Sequence, residues 1–305
     1  MKTILIAYDG SECSDAIIAE LHRAGLPSQL EAHVVSVAEV WTAPAANFSG
    51  WAASPETLPA LNAAKAKTAQ GMHDARALAE QGAARLRAAF PEWRVETSGG
   101  VGSASRAILQ RAREIPADII FIGSHSRSAV GRFFLGSVSQ KIAAEAKCSV
   151  RICRPRVPSG VAPRLLVAVD GSQPAQAAVR AVAERAWPAG TAVAVVNVVE
   201  PPLRAAVAEP EYALEIQRQH EARLDWLETV GTGAQRQLEL AGLIAERHSL
   251  EGEPKSTLLE WAERWNTDCL FIGASGLQHP ATETLGTVAS ALAVRAHCSV
   301  EIVRL

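Results

Sequence analysis

The sequence carries one pattern twice, and this internal repeat constrains the fold more than any other feature. Matching segments occur in the same order in both halves of the 305 residues, at an offset of 161 near the start and 150 farther along. The matched segments are Ile4–Ser11 with Leu165–Ser172, Asp118–Ser124 with Asp268–Ala274, and Cys148–Ile152 with Cys298–Ile302. A chain of this length is expected to form two domains, so we predict two copies of one domain.

Breaks in the repeat indicate where the copies begin and end. The drop in offset means that the first copy carries 11 extra residues in its middle, and the prolines and glycine between Trp41 and Leu61 predict a long loop there. A proline-rich stretch from Arg154 to Pro163 is typical of a short extended linker. We therefore predict a first domain at 1–155 (copy one), a linker at 156–163 and a second domain at 164–305 (copy two).

Short apolar runs alternate with longer stretches of helical period in each copy. The predicted strands are Thr3–Tyr8, His33–Val37, Arg94–Thr97, Ile119–Ile122 and Ser149–Cys153 in copy one, and Leu165–Val169, Val193–Val199, Glu246–Leu250, Cys269–Ile272 and Ser299–Val303 in copy two. Near-continuous Val, Ile and Leu in the first, second and fourth strands is typical of parallel sheets buried on both faces. The pattern predicts an α/β fold of two repeated, doubly wound domains, each with a five-stranded parallel sheet.

The last strand of each copy is alternating and terminal. As an edge strand it needs a partner or cover. We therefore expect the copies to pack against each other through Ser149–Cys153 and Ser299–Val303. This pairing leaves open whether the whole chain also forms a homodimer.

Composition and charge exclude several classes of protein. Lys plus Arg is 30 against 32 for Asp plus Glu, a net charge of -2, so no overall field favours a nucleic acid or an anionic membrane. The longest apolar run, Val193–Val199, falls far short of the roughly 20 residues that cross a bilayer, and Thr3–Tyr8 is too short for the core of a secretory signal. The five cysteines show no CxxC spacing, which is typical of apolar core residues in a reducing compartment. We expect a cytoplasmic protein that binds neither nucleic acid nor membrane.

Residues that follow the strands are the candidates for a binding site, because ligands of open parallel sheets lie beyond the carboxyl ends of the strands. Asp9 and Asp170 follow the first strand of each copy. After the fourth strand, copy two has GASG from Gly273, then nine residues, then Gly286 at the predicted start of a helix. Glycines let backbone N–H groups approach a phosphate, and a helix N-terminus attracts the same anion. The corresponding residues of copy one are Gly123, Ser126, Gly136 and Ser137.

This glycine pattern, with the DGS after the first strand and the closing CSVxI strand, closely resembles the universal stress protein family, as a tandem two-domain member, over nearly the whole chain. The resemblance implies an adenine nucleotide α-hydrolase-like, Rossmann-like sandwich that binds ATP. By position, an Asp would meet the ribose and adenine, a Val in strand two would pack on the adenine, and glycines would border the nucleotide and wrap its phosphates. The residues so implied are Asp170, Val198, Gly252, Gly273, Gly276, Gly286 and Thr287 in copy two, and Asp9, Val37, Gly102, Gly123, Gly136 and Ser137 in copy one.

The two sites depart from the family pattern in different ways. Copy one has Ser126 at the second glycine, where a Cβ would crowd a close phosphate or resist a positive φ, although Arg127 keeps a basic group nearby. Copy two has every glycine, but its loop lacks a basic residue and contains Glu283. We favour copy two as the occupied site and expect Mg2+ to bridge the phosphates there.

The leading hypothesis from the sequence is a nucleotide-binding stress-response protein in which ATP occupancy biases conformation or partner contacts. The alternatives are a slow ATPase or nucleotidyl-transfer enzyme, and an interaction scaffold that binds no nucleotide. No catalytic residue is assigned, because His125 has no paired nucleophile and its counterpart in copy two is Ser275. No metal site within the protein is assigned either, because Asp9 and Asp170 give one carboxylate per domain.

Two further patterns have structural interpretations. The segment Glu211–Leu240, which includes Arg223 among its charged residues, predicts a helix with a solvated outer face. Trp261 and Trp265, four residues apart, predict a packed helix face.

Overall fold

The computed structural model describes residues 2–40, 58–124, 135–155, 162–202, 210–277 and 285–305. Their strands form one ten-stranded sheet with the order β3-β2-β1-β4-β5-β10-β9-β6-β7-β8. The strands are β1 (Thr3–Ala7), β2 (Glu31–Ala38), β3 (Arg94–Val101), β4 (Ile119–Gly123) and β5 (Ser149–Cys153) in copy one, and β6 (Arg164–Ala168), β7 (Ala192–Val199), β8 (Ile244–Glu251), β9 (Cys269–Gly273) and β10 (Ser299–Val303) in copy two. All neighbours within a copy are parallel, so the predicted α/β class with a repeated five-stranded sheet is confirmed.

Eight helices connect the strands within the described residues. They are α1 (Glu12–Leu21), α2 (Leu58–Ala89), α3 (Ala104–Glu114), α4 (Ser137–Glu145), α5 (Gln173–Ala183), α6 (Pro210–Leu240), α7 (Pro254–Arg264) and α8 (Thr287–Arg295). The side chains of Ser11 and Ser172 accept N-terminal N–H groups of α1 and α5, as predicted. Such caps stabilise a helix by about 1 kcal/mol. The loop predicted to reach Leu61 ends earlier, because α2 begins at Leu58 and Pro59 falls in its first turn, where proline is tolerated.

The helices cover both faces of the sheet, because successive strand residues point to opposite faces. In β1, Ile4 and Ile6 pack with α1 and α2, whereas Leu5 packs on the other face. The apolar cluster on that other face is continuous across both copies and includes residues of α3, α4, α7 and α8. Trp261 of α7 and Trp265, the C-cap of that helix, stack with ring centroids 5.3 Å apart and pack against this cluster, so the predicted packed face is confirmed.

The two copies meet through the antiparallel pair β5–β10, as the sequence predicts. Reciprocal arginines strengthen this junction. Arg154 donates to the carbonyl oxygens of Ala293 in α8 (2.5 Å) and of Cys298 just before β10 (3.0 Å), and Arg304 donates to that of Ala143 in α4 (2.7 Å). The last arginine of each copy therefore binds the negative end of the other copy's last helix.

All five cysteines are free thiols, and four of them are buried, as expected of core residues. The exception is Cys148, which is partly exposed. Burial raises the pKa of the Cys148 thiol to about 11. Within the described residues no helix is both long enough and apolar enough to cross a membrane.

Candidate functional site

The order of strands reverses between β6 and β9 in copy two, and the carboxyl end of β6 carries Asp170 and Gly171. Gly171 has φ 84°, a left-handed conformation that favours glycine. One carboxylate oxygen of Asp170, Oδ1, accepts the backbone N–H of Ser172 at 2.9 Å, while Ser172 caps α5. The Asp-Gly-Ser sequence therefore forms a tight turn that leads from the strand into the helix and fixes Asp170 at the edge of the sheet.

A cavity of about 420 Å³ opens at this edge. Six of the seven residues predicted for copy two line it: Asp170, Val198, Gly273, Gly276, Gly286 and Thr287. Gly252 lies just outside, although the two residues after it, Glu253 and Pro254, are in the lining. The fold therefore brings these residues together from separate strand ends and from the start of α8.

One wall of the cavity is apolar and consists of residues of β6, β7, β9 and α7. Val198 lies near the end of β7, and Leu258 and Ile272 also line the wall. All three pack against the apolar cluster shared by the copies. This wall offers a flat aromatic group a surface that excludes water.

The first turn of α8 forms another part of the lining, with Thr287, Val288 and Ala289. The N-cap of this helix is Gly286, which has no side chain to accept the first N–H groups. These N–H groups are therefore left to a ligand or water, and the positive end of the helix dipole lies at the cavity. Such a terminus is suited to an anion.

Close approach explains two of the loop glycines. A Cβ on Gly276 would lie 2.6 Å from Asp170 Oδ2, which already accepts the backbone N–H of Leu277 at 3.2 Å. A Cβ on Gly273 would lie 2.6 Å from the backbone of Pro174 at the start of α5. Packing inside the protein therefore requires both glycines, whether or not a phosphate is bound.

Charged residues in the cavity wall include several that the sequence analysis did not assign to the site. They are Glu200, Arg223 and Lys255, whereas Glu253 was expected to border the nucleotide together with Gly252. Arg223 was predicted to lie on a solvated outer face; it is exposed, as expected, but its helix α6 passes over the cavity, so the interpretation was incomplete. The described part of the loop has no basic residue, yet Arg223 and Lys255 bring positive charge from two other elements.

Glu253 has a structural role that keeps it ionised. It is the N-cap of α7, and its Oε2 accepts the backbone N–H of Ser256 at 2.9 Å. This hydrogen bond lowers the pKa of the Glu253 carboxyl. Lys255 Nζ lies 3.7 Å from the other carboxylate oxygen of Glu253. The Glu-Pro-Lys sequence at the start of α7 could have indicated both the cap and the nearby charge.

Trp226 lies one helical turn after Arg223 on α6. A Cβ on Gly171 would collide with its indole ring, so the ring packs directly on the Asp-Gly-Ser turn. Its exposed fraction is 41%, which is high for a tryptophan. Leu277 on the cavity lining is also exposed. Two large apolar side chains therefore stand near the cavity in contact with solvent.

Copy one repeats the frame of this site. Asp9 Oδ1 accepts from both the N–H (3.0 Å) and the hydroxyl (2.5 Å) of Ser11, and Gly10 has φ 69°. Val37, Gly102 and Gly123 lie at or beyond the ends of their strands, Gly136 is the N-cap of α4, and Ser137 is the first residue of that helix. Ser126, Arg127, His125 and Glu283 lie outside the described residues, so their predicted roles stay predictions.

The two copies differ at the residue that precedes the Asp-Gly-Ser turn. In copy one, Tyr8 packs on Gly82 of α2, where a Cβ would lie 2.9 Å from its ring, and its hydroxyl donates to Asp15 at 2.6 Å. Burial and the bond to Asp15 raise the pKa of Tyr8 to about 12. The matching residue in copy two is Val169, which lines the cavity. The two copies are therefore not equivalent next to the candidate ligand.

Known proteins match both copies. The family model described as the universal stress protein family matches residues 1–154 and 162–304. A universal stress protein from Archaeoglobus fulgidus DSM 4304 has a similar structure, with a TM-score of 0.62 and 19% identity over 99% of this chain and 96% of that chain. A putative universal stress protein from Pseudomonas aeruginosa UCBPP-PA14 has a TM-score of 0.60 and 13% identity over 100% and 93%. A Thermus aquaticus universal stress protein from the QAH/OAS sulfhydrylase 3' region is 49% identical over 53 residues, which span 17% of this chain and 39% of its own length.

Proposed function

The chain belongs to the universal stress protein family, and on that premise we propose that copy two binds ATP and that occupancy changes the protein's conformation or its contacts with partners. The observation that carries the proposal is the cavity at the switch between β6 and β9, which combines two kinds of lining. One part is apolar, and another is the first turn of α8, at the positive end of the helix dipole. Its volume of about 420 Å³ lies within the range of roughly 300–1,000 Å³ of small-molecule pockets.

The two kinds of lining match the two parts of the nucleotide. The adenine ring packs on the wall formed by Val198, Leu258 and Ile272. The phosphates lie against the first turn of α8 and the backbone at Gly276, which offer N–H donors and the helix dipole.

Asp170 is suited to the ribose. Each of its oxygens already accepts one backbone N–H, from Ser172 and Leu277. A carboxylate oxygen can accept more than one hydrogen bond, so the side chain is held in place and still has capacity for a hydroxyl donor. This arrangement favours a ligand with ribose hydroxyls over inorganic phosphate alone.

The charge balance of the wall favours a nucleotide with Mg2+. Arg223 and Lys255 attract the phosphates, whereas Glu200 and Glu253 repel them. Mg2+ shared between phosphate oxygens offsets the remaining negative charge. We therefore expect ATP with Mg2+ to bind more tightly than ATP with EDTA.

Slow or absent hydrolysis fits the residues that line this cavity. Its hydroxyls belong to Ser275 and Thr287, and no histidine lies in the described lining to act as their base. The proposal therefore assigns a binding and regulatory role, with slow ATPase activity and a nucleotide-free scaffold as the competing functions.

Mass spectrometry of small molecules released from the denatured, tag-free protein tests the proposal first. Titration calorimetry with ATP and Mg2+ then compares the parent with Gly276→Ser, which gives copy two the residue that copy one has at Ser126. We expect a bound adenine nucleotide and weaker binding by the variant. Release of ADP in proportion to time would favour the ATPase, and no binding at millimolar ATP would favour the scaffold.

A further inference from the structure

A cluster of two carboxylates and one imidazole lies in copy one, on the edge pair β2–β3 and away from the nucleotide cavity. His33 of β2 is the direct register partner of Glu96 of β3, and Glu31 precedes His33 by two residues on the same face. One potential ligand atom from each residue lies within 4.8 Å of the other two. Within the described ranges it is the one group of this kind.

The imidazole of His33 is almost completely buried, with 5% of its side chain exposed. Its Nε2 lies 3.0 Å from Glu31 Oε1, a hydrogen bond in which Nε2–H donates when the ring is neutral. Its Nδ1 has no hydrogen-bond partner although it is buried. A buried polar atom without a partner costs roughly 1–3 kcal/mol, so its surroundings need an explanation.

The nearest carboxylate to that unpartnered atom belongs to Glu96, whose Oε2 lies 3.7 Å from Nδ1. In the tautomer with Nε2–H, both atoms are acceptors and repel each other unless a cation lies between them. The separation is too long for an N–H···O hydrogen bond. Two metal–ligand bonds of about 2.1 Å span it at an angle of roughly 120°.

Glu31 is positioned like the carboxylate that orients a metal-binding histidine. Such a histidine donates its other ring N–H to a carboxylate, which fixes the tautomer and makes the free nitrogen a better ligand. The second oxygen of Glu96, Oε1, accepts from Arg94 at 2.6 Å. Arg94 is 68% exposed and leaves Oε2 directed to His33.

Copy two shows that the fold does not require this cluster. By strand register, the positions of Glu31, His33 and Glu96 correspond to Ala192, Ala194 and Glu246. In copy two, uncharged alanines therefore occupy two of the three positions. Copy one instead buries an imidazole among carboxylates, at a desolvation cost that a bound cation would offset.

We propose that copy one binds a divalent transition-metal ion, of which Zn2+ is the probe, between His33 Nδ1 and Glu96 Oε2, with Glu31 as the positioning residue. Imidazole nitrogen with carboxylate oxygen favours Zn2+ over Mg2+, which prefers oxygen alone. With two protein ligands the other coordination positions are held by water. The site is thus an open one that binds more weakly than a closed structural zinc site.

Equilibrium dialysis of the tag-free, EDTA-treated full chain against Zn2+ tests the proposal. We expect about one ion per chain, unaffected by a tenfold excess of Mg2+. His33→Ala, which copies Ala194, should abolish binding, and Glu31→Gln should weaken it roughly 10–100-fold, the usual effect of losing an orienting carboxylate. The matched control is Glu246→Gln at the equivalent position of copy two. Glu246 Oε2 lies 3.6 Å from His248 Nε2, but no third potential ligand joins this pair within the described residues, so the variant should retain the ion.

A second control separates thiol binding from the proposed site. Cys148→Ser removes the one partly exposed thiol and should retain the ion. Circular dichroism verifies that His33→Ala is folded. Retention of the ion by folded His33→Ala, its loss in Cys148→Ser, or no binding at millimolar Zn2+ would overturn the proposal.

Discussion

Arg151 and Glu301 face each other across the junction of the two copies. They are direct register partners in β5 and β10, and Arg151 Nη1 lies 3.2 Å from Glu301 Oε2. Both are fully buried, with 1% and 0% exposure. Glu20 also binds Arg151, at 2.5 Å, and Arg185 binds Glu301, at 2.9 Å for its Nη1.

The two residues occupy the same position in the repeated CSVxI strand, with opposite charge. If copy one of one chain paired through this strand with copy one of another, two arginines would be brought together. The same pairing of copy two with copy two would bring together two glutamates. A buried pair of like charges is strongly unfavourable. The exchange of sign therefore favours pairing between copy one and copy two of the chain.

Glu301→Gln is expected to destabilise the protein. It removes the buried negative charge that Arg151 and Arg185 share. Breaking such a buried pair costs roughly 3–5 kcal/mol. Urea denaturation measures the loss. The control is Glu228→Gln, which removes an exposed partner of Arg247 and should cost less than about 1 kcal/mol. Equal effects of the two variants would contradict this role of Glu301.

Acid should destabilise the parent through the same carboxyl. Burial raises the pKa of Glu301, but the charges of Arg185 and Arg151 outweigh it, so the pKa is lowered from 4.5. The unfolded chain therefore binds the proton first, and stability is present above about pH 4.5 and lost as the pH falls through the lower folded pKa. Free energies of unfolding between pH 6 and 3 should fall more steeply for the parent than for Glu301→Gln. Parallel curves would mean that Glu301 does not contribute.

Gly276→Val is expected to prevent ATP binding in copy two. The new side chain would occupy the place where Asp170 and a phosphate approach the loop. At free ATP of 100 times its Kd, binding stabilises a domain by about 2.7 kcal/mol, which corresponds to several degrees at roughly 2–4 °C per kcal/mol. Thermal melts with ATP and Mg2+ should show this shift for the parent and lose most of it in the variant.

An equal shift in Gly276→Val and in the parent would move the site to copy one. Gly136→Val then becomes the test, because Gly136 is the N-cap of α4 as Gly286 is of α8. No shift in either protein would favour the scaffold.

The fold could be predicted because its signals are local. Runs of Val and Ile about five residues long predict the strands, and Ser11 and Ser172 mark the starts of helices. Because the sequence repeats, each element is predicted twice, once in each copy. The pairing of Ser149–Cys153 with Ser299–Val303 followed from the edge positions of those strands. The boundaries were less accurate, as at Leu58, because propensity changes gradually at the end of a helix.

The site could be predicted where its residues lie at the ends of strands or at the start of α8. Asp170 and Gly276 meet at such ends, and the carboxylate of Asp170 accepts the N–H of Leu277, which lies 107 residues farther along the chain. Arg223 could not be assigned, because which face of a long helix lies over the cavity depends on packing with distant residues. The cluster around His33 was missed for a related reason: Glu96 becomes its neighbour only through the register of β2 with β3.

Arg223→Gln should weaken ATP binding and leave AMP binding almost unchanged. Arg223 and Lys255 are the basic residues in the described cavity wall, and Lys255 is already 3.7 Å from Glu253. Arg223 is therefore the cation with more charge available to the outer phosphates, which AMP lacks. Since a hydrogen bond to a charged group contributes roughly 1.5–3 kcal/mol and exposure reduces this value, we expect about a tenfold loss for ATP. Calorimetry at low and high salt measures it, and the loss should shrink as salt screens the charge. The matched control is Arg218→Gln on the same exposed helix, outside the described lining, which should bind ATP as the parent does. Equal losses for ATP and AMP would show instead that Arg223 holds the adenine end or supports the position of α6.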